Sequence, residues 1–140
     1  MNEDCFHLGL KALIRNKEGL FLILRAKNYW DIPGGRIHKE EPLLNALKRE
    51  VFEETGIYQF LKIEPIQLSL SNIRITTSSY DVGLIHYFYF CEVKDPSVTL
   101  SDEHISYEWS SMEQLIERLA QEAPKELLEK LSHYEAKTTS

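Results

Sequence analysis

The first twenty-five residues have the hydrophobic pattern of a β-hairpin. Residues 6–15 alternate leucines with small and polar side chains, which predicts a strand. Asn-Lys-Glu-Gly at residues 16–19 supplies the chemistry of a turn, and the apolar run LFLILR at residues 20–25 predicts the return strand. Because a strand that is apolar on both sides must be covered on both sides, we expect helices on each face of the sheet.

Three later stretches also have strand patterns. Residues 82–93 (VGLIHYFYFCEV) are apolar or aromatic at both alternating sets of positions, so we expect a central strand there. Alternating hydrophobic residues within residues 61–75 predict one or two strands before a turn at residues 76–79. Residues 105–109 predict a short final strand.

The segment Asp31-Ile-Pro-Gly-Gly separates the hairpin from the first predicted helix. Its proline lacks an amide donor and its glycines permit unusual backbone angles, so we expect a loop. The helix is predicted to begin near Pro42 and to end at Gly56. The apolar stripe that should pack on the sheet comprises Leu43, Leu44, Leu47 and Val51.

Two further helices are predicted near the end of the chain. Ser110 and Ser111 are each followed three residues later by Glu or Gln, which predicts a capped helix that runs through Leu119. Pro124 opens a last helix. Helices and strands in this order indicate the α/β fold class.

The first helix carries three glutamates on one flank. Glu50, Glu53 and Glu54 are spaced i, i+3 and i+4, so their side chains project within one sector. Like charges at this spacing weaken a helix unless a cation lies between them. The oxygen-loving divalent cations Mg²⁺ and Mn²⁺ are the simplest candidates.

Length and charge narrow the possible functions. A chain of 140 residues is long enough for one well-formed core, and we expect residues 1–140 to form a single domain. The formal net charge of −6 argues against an extended nucleic-acid surface. An anionic small-molecule substrate would therefore be held locally, by a few cations or by a metal ion.

The sequence favours a cytoplasmic protein that does not associate with membranes. No apolar run approaches the ~20 residues of a membrane span, and the N-terminal MNEDCFH is acidic where a secretory signal is basic. The two cysteines, Cys5 and Cys91, show no disulfide framework, so we expect reduced thiols.

Residues 35–57, GRIHKEEPLLNALKREVFEETGI, resemble the Nudix box, the 23-residue signature of the Nudix hydrolase family. That signature is Gly, five residues, Glu, seven residues, Arg-Glu, an aliphatic residue, any residue, Glu-Glu, any residue, Gly and an aliphatic residue. Every specified position is met, at Gly35, Glu41, Arg49, Glu50, Val51, Glu53, Glu54, Gly56 and Ile57. Matching nine positions by chance is a negligible explanation. The resemblance implies the Nudix fold, an α/β/α sandwich around a mixed sheet.

The resemblance also implies a reaction. Nudix hydrolases cleave a phosphoanhydride bond in a nucleoside diphosphate linked to another moiety, through attack by a metal-activated water. It follows from the resemblance that Glu50, Glu53 and Glu54 bind the metal together with the backbone carbonyl of Gly34. Arg49 is then expected to hold Glu53 in place through a charged hydrogen bond.

A further acid from a later loop often completes the site in this family, and Glu103 is the best match. Glu53 and Glu103 are both candidates for the general base, and the sequence does not choose between them. Glu41 is expected to tie the loop to the helix. For His104 an exposed loop position is the preferred interpretation, and a role in proton transfer is the alternative.

Arg25, Arg36 and Trp30 are the predicted substrate-binding residues. Arg25 could hold a substrate phosphate or could be a cation at the sheet edge. Trp30 could stack on a base, although an aromatic residue beside a core strand usually packs.

The substrate is less well defined than the reaction. The family's signatures for ADP-ribose and dinucleoside polyphosphate enzymes are absent from residues 73–75, and the coenzyme A signature is also absent. Small size favours a nucleoside triphosphate or a dinucleoside polyphosphate. The alternative is a Nudix-fold nucleotide-binding or regulatory module without turnover, and the resemblance also leaves a homodimer open.

Overall fold

A mixed β-sheet forms the centre of the fold in the computed structural model, which describes residues 2–120 and 123–137 of the chain. Within these residues the elements, in chain order, are β1 (Phe6–Arg15), β2 (Phe21–Arg25), β3 (Trp30–Asp31), β4 (Gly34–Arg36), α1 (Leu43–Thr55), β5 (Lys62–Leu70), β6 (Ile75–Thr76), β7 (Asp81–Glu92), β8 (Ser106–Ser110), α2 (Met112–Leu119) and α3 (Lys125–Lys137).

The sheet contains both parallel and antiparallel pairs. Its main path is β3-β2-β1-β7-β5, while β4 pairs with β1, β8 with β2 and β6 with β7. Strands β1 and β7 run parallel from the pair Phe6 and Gly83 to the pair Arg15 and Glu92, and the other pairs are antiparallel. The central position predicted for residues 82–93 is therefore confirmed, because β7 lies between β1 and β5.

Helices cover both faces of the sheet. On one face, Ala46, Leu47 and Val51 of α1 pack in a buried cluster with Leu10 and other strand residues. On the other face, α2 and α3 pack against a second cluster, which includes Leu13, Phe21, Phe90, Leu115, Leu127 and Leu131. The α/β/α sandwich is confirmed, and it explains why β2 is apolar on both sides.

The ends of the helices follow local sequence rules. Pro42 occupies the N-cap position of α1, and Gly56 ends that helix with a φ of 77° in the left-handed region. Ser111, rather than Ser110, caps α2 by accepting a hydrogen bond from the Gln114 N–H at 3.2 Å. These boundaries agree with the predicted ones to within about two residues.

Two expectations require correction. Leu44 was placed in the buried stripe of α1, yet it is 48% exposed, and Ala46 is buried instead. Leu44 and Val51 are seven residues apart, so they lie on the same side of α1. Leu44 is uncovered because it lies near the start of the helix, and not because it faces away from the sheet.

The segment expected to be a loop instead forms two short strands on either side of Pro33. Trp30–Asp31 pairs with β2, and Gly34–Arg36 pairs with β1. The missing N–H of Pro33 is tolerated because the residue lies between the strands, and its carbonyl accepts a 2.8 Å hydrogen bond from Ala12.

Both cysteines are free thiols, with Cys5 exposed and Cys91 buried. In the part of the chain that the structure describes, every helix is too short or too polar to cross a membrane.

Candidate functional site

The last glutamate of the α1 triplet points into the protein. Glu54 is only 6% exposed, and its Oε1 accepts a 2.8 Å hydrogen bond from the Gly34 N–H. Burial raises the pKa of Glu54 to about 7, although the Gly34 hydrogen bond favours the ionised form. A cation beside this carboxylate would offset the cost of its burial.

Glu50 lies against the backbone of the β4 strand. A Cβ atom on Gly35 would lie 2.3 Å from the Glu50 carboxyl group, so any other residue there would displace this carboxyl group. Glu50 also accepts a 2.8 Å hydrogen bond from Arg49. Gly35, the first residue of the box, and Glu50, the first glutamate of the triplet, therefore lie in close contact.

Arg49 joins Glu41, Glu50 and Glu53, three acidic residues of the box, into one network. Its Nε and one terminal nitrogen bind both oxygens of Glu41, at 2.7 and 3.0 Å, and its other terminal nitrogen lies 3.3 Å from Glu53. Glu41 also accepts from the His38 N–H at 2.9 Å, so it does link the loop to the helix. The hydrogen bonds from Arg49 and from His38 lower the pKa of Glu41 to about 2.

The three helix glutamates thus have different surroundings. Glu54 is buried, Glu50 is partly buried, and the Glu53 side chain is 56% exposed. The contact predicted between Arg49 and Glu53 is present, but it is longer than the contacts of Arg49 with Glu41 and Glu50.

The loop before β8 approaches Glu54. One carboxylate oxygen each of Glu54 and Glu103 and one ring nitrogen of His104 all lie within 4.8 Å of one another. His104 is 7% exposed, so the interpretation of an exposed loop histidine was wrong. Packing of this loop against β3 and α1 buries the ring, which the polar character of the loop does not reveal.

Asp31 supports His104 from the other side. Its Oδ2 lies 3.2 Å from Nε2 of His104, and its Oδ1 accepts from Nζ of Lys11 at 3.0 Å. Burial alone would raise the pKa of Asp31, but the hydrogen bonds from His104 and Lys11 outweigh it and lower the value to about 2. The same hydrogen bond raises the pKa of His104.

Two cavities adjoin this region. A cleft of about 730 Å³ is lined by residues that include Gly34, Gly35, Arg36, Glu50 and Glu103. A cavity of about 420 Å³ on the α2 side of the sheet is lined by Asp31, His86 and Phe88, among others. The chain segment from Asp31 to Gly35 contributes to both, so one substrate could contact the two cavities along it.

Of the three predicted substrate-binding residues, Arg36 lies apart from Arg25 and Trp30. Arg36 lines the larger cleft, and its guanidinium lies 3.2 Å from Nδ1 of His7. Arg25 instead stacks over the Trp30 ring at 4.9 Å, and Arg118 lies 4.0 Å from that ring. Neither Arg25 nor Trp30 lines the described cavities, and their role in binding substrate stays a prediction.

Comparison with known protein families identifies the chain. A family model described as the NUDIX domain matches residues 6–131. The chain belongs to the NUDIX domain family. The Nudix box at residues 35–57 therefore lies within a NUDIX domain, as the sequence resemblance implied.

Curated relatives of this Nudix chain include two bacterial proteins. An 8-oxo-dGTP diphosphatase of Buchnera aphidicola is 31% identical over 86 residues, which are 61% of this chain and 63% of that protein. A MutT-like protein of Streptomyces ambofaciens is 28% identical over 111 residues, 79% of this chain and 66% of that protein. The Nudix chain thus spans somewhat less than two thirds of the length of these relatives.

A solved structure of similar fold is the MutT protein from Methanosarcina mazei Go1. The two chains cover 100% of each other with a TM-score of 0.68 and 27% identity. The Nudix fold predicted from the sequence is confirmed along the chain.

The sequence analysis did not bring Asp31 and His104 together. Asp31 was noted only as part of the segment before the box, and an exposed loop position was preferred for His104, with a role in proton transfer as the alternative. A histidine next to the candidate ligand Glu103 was the available signal, but nothing in the sequence linked it to Asp31, 73 residues away.

Proposed function

We propose that this Nudix domain, spanning residues 1–140, is a metal-dependent hydrolase that cleaves a phosphoanhydride bond of a nucleotide. The observation that carries the proposal is the convergence of Glu54, Glu103 and His104 beside the Gly34–Gly35 bend of a complete box. The intact acidic set argues against a module that only binds a nucleotide.

The residues present fit a divalent cation. Glu54 is buried, and no basic side chain among the described residues is hydrogen-bonded to it. Its neighbours in the cluster are another carboxylate and an imidazole. Glu50, Glu53, Glu54 and Glu103 would hold Mg²⁺ or Mn²⁺ together with the Gly34 carbonyl. When bound, such an ion neutralises diphosphate charge and lowers the pKa of the attacking water.

The remaining residues position these carboxylates. Arg49 fixes Glu50 through a 2.8 Å contact and is itself held by both oxygens of Glu41. The Glu53 side chain is open to solvent, and Glu103 lines the larger cleft. Both therefore stay candidates for the general base.

Two cavities suggest how a nucleotide would lie. The larger cleft brings Arg36 and Lys39 near Glu50 and Glu103, so cations that attract phosphate flank the carboxylates. The second cavity combines Tyr29 and Phe88 with polar groups of Asn72 and His86, as expected for a nucleoside. The phosphates would occupy the first cleft and the nucleoside the second.

A nucleoside triphosphate is the substrate class we propose. The similarity to an 8-oxo-dGTP diphosphatase supports it, together with the small size of the chain. Dinucleoside polyphosphates are the next class to test. A homodimeric state and a cytoplasmic location stay predictions from the sequence.

A product screen tests the function. Purified protein with Mg²⁺ or Mn²⁺ is incubated with nucleoside triphosphates, including 8-oxo-dGTP, and with dinucleoside polyphosphates, ADP-ribose and nucleotide sugars. Separation of products should show a nucleoside monophosphate and pyrophosphate from a triphosphate. EDTA should abolish turnover, and excess Mg²⁺ or Mn²⁺ should restore it.

Variants show whether the proposed site performs the reaction. Glu54→Gln should lower kcat/KM by at least about 100-fold, and Glu103→Gln by about tenfold or more. Asp102→Asn, an exposed neighbour of Glu103, is the matched control and should retain turnover. The folded protein, supplied with metal, could instead bind a nucleotide saturably and hydrolyse none of the substrate classes tested. That result would indicate a binding module.

A further inference from the structure

His104 is a buried imidazole with one unsatisfied nitrogen. Its side chain is 3% exposed, and Nδ1 has no hydrogen-bond partner among the described residues. Buried polar atoms are nearly always paired, so an orphan nitrogen requires an explanation.

The contact with Asp31 determines which nitrogen carries the proton. Asp31 accepts a hydrogen bond from the Lys11 ammonium and faces Nε2 of His104 at 3.2 Å. An ionised carboxylate can only accept, so Nε2 must donate to it. In the neutral ring, Nδ1 then presents a lone pair, and a carboxylate behind the opposite nitrogen is the usual support of a metal-binding histidine.

Glu54 and Glu103 lie close to the His104 ring. One oxygen of each and a ring nitrogen of His104 lie within 4.8 Å of one another, and Nδ1 is the ring nitrogen not bound to Asp31. Ligands on one cation with bonds of ~2.1 Å are about 3.0 Å apart at right angles and about 4.2 Å apart when they are opposite. Three atoms cannot all be opposite one another, so rotations of the side chains would have to bring them closer together for all three to bind a single ion.

We propose that His104 binds the metal ion through Nδ1, forming with Glu54 and Glu103 a mixed nitrogen and oxygen site. The proposal rests on the proposed function, in which these two carboxylates hold the metal. Imidazole is a good ligand for transition metals, whereas Mg²⁺ prefers oxygen. The site should therefore favour Mn²⁺ over Mg²⁺ more strongly than the carboxylates of the box alone would.

Pulsed electron paramagnetic resonance of bound Mn²⁺ tests the ligand directly. The 140-residue protein, loaded with Mn²⁺ without substrate, should show a ¹⁴N coupling that changes to a ¹⁵N coupling when histidine is labelled with ¹⁵N. His104→Gln keeps a polar group near the position of Nε2 but removes Nδ1, so the coupling should disappear. His133→Gln, which alters an exposed histidine of α3, should leave it unchanged.

Calorimetry gives a second readout. The Kd of Mn²⁺ should rise at least about tenfold in His104→Gln. The Kd of Mg²⁺ should change less than about threefold, because Mg²⁺ gains little from a nitrogen ligand. The His133→Gln control should change neither value.

The outcomes separate the ligand from the reaction. Bound Mn²⁺ without a nitrogen coupling, or an unchanged Mn²⁺ affinity in His104→Gln, would overturn the proposal while leaving the hydrolase function standing. A clear nitrogen coupling in a protein that hydrolyses no nucleotide would support His104 as a ligand and overturn the proposed hydrolase function. Absence of Mn²⁺ binding would overturn the assignment of His104 as a ligand. If His104→Gln does not fold, the spectra of the ¹⁵N-histidine-labelled wild type decide whether a histidine nitrogen binds the ion.

Discussion

The Gly34 N–H donates a 2.8 Å hydrogen bond to Glu54, and the tight path of the backbone at Gly34 makes this contact possible. A Cβ atom at position 34 would lie 1.9 Å from the Leu10 carbonyl oxygen, so β4 approaches β1 more closely than any other residue would allow. The bend at Gly34, just before the box, thus orients a buried carboxylate in addition to turning the chain.

Gly34→Ala should therefore harm both stability and activity. The clash must move β4 away from β1, so we expect a loss of about 2 kcal/mol or more in the free energy of unfolding. Urea denaturation measures the loss, and product release measures activity. Gly19→Ala is the matched control, because Gly19 also has positive φ but a Cβ there meets nothing within 4 Å. Equal losses in the two variants would contradict the role assigned to the close approach.

Arg49→Lys should impair turnover more than folding. Lysine cannot contact both oxygens of Glu41 while also reaching Glu50, so the helix carboxylates would lose their fixed orientation. We expect kcat to fall by about 10- to 100-fold with a smaller change in KM. Lys48→Ala, which removes the exposed cation next to Arg49, should leave both constants unchanged. Steady-state kinetics on folded variants would refute the prediction if the two substitutions had equal effects.

Two leucines of α1 test how the helix packs. Leu47→Ala should lower the free energy of unfolding by about 3 kcal/mol, because the side chain is fully buried against the sheet. Leu44→Ala, in the same helix but 48% exposed, should cost less than about 1 kcal/mol. Chemical denaturation of both variants gives the difference, and a larger loss at Leu44 would mean that α1 packs differently.

Cys91 should make stability fall at alkaline pH. Burial raises the pKa of its thiol from 9.0 to about 12, so the thiol stays neutral in the folded protein while it ionises in the unfolded chain. The unfolded state binds fewer protons above pH 9, and the free energy of unfolding should fall by about 1.4 kcal/mol between pH 8 and pH 10 from this group.

Comparison with Cys91→Ala isolates this contribution. Under reducing conditions, the difference in unfolding free energy between the wild type and Cys91→Ala should shift by that amount over the same pH range. Cys5→Ala removes an exposed thiol and should show no such shift. A pH-independent difference for Cys91→Ala would show that this thiol ionises equally in both states.

Local spacing was enough to locate the helix of the site and its acids. Glu50, Glu53 and Glu54 are neighbours on one helix whatever surrounds them, because the α-helical repeat places residues three and four apart on the same flank. Pro42 and Gly56 marked the ends of that helix for equally local reasons. The alternation and length of the apolar runs likewise indicated the sheet and its two covering layers.

Long-range contacts separated residues that look alike in the sequence. Glu54 is buried and Glu53 is exposed, since only Glu54 faces the Gly34 backbone and the loop before β8. His104 meets Asp31 across 73 residues because β8 pairs with β2, and β2 pairs in turn with β3. Such partners depend on strand order and register, which bring distant loops together at one edge of the sheet and leave no local pattern along the chain.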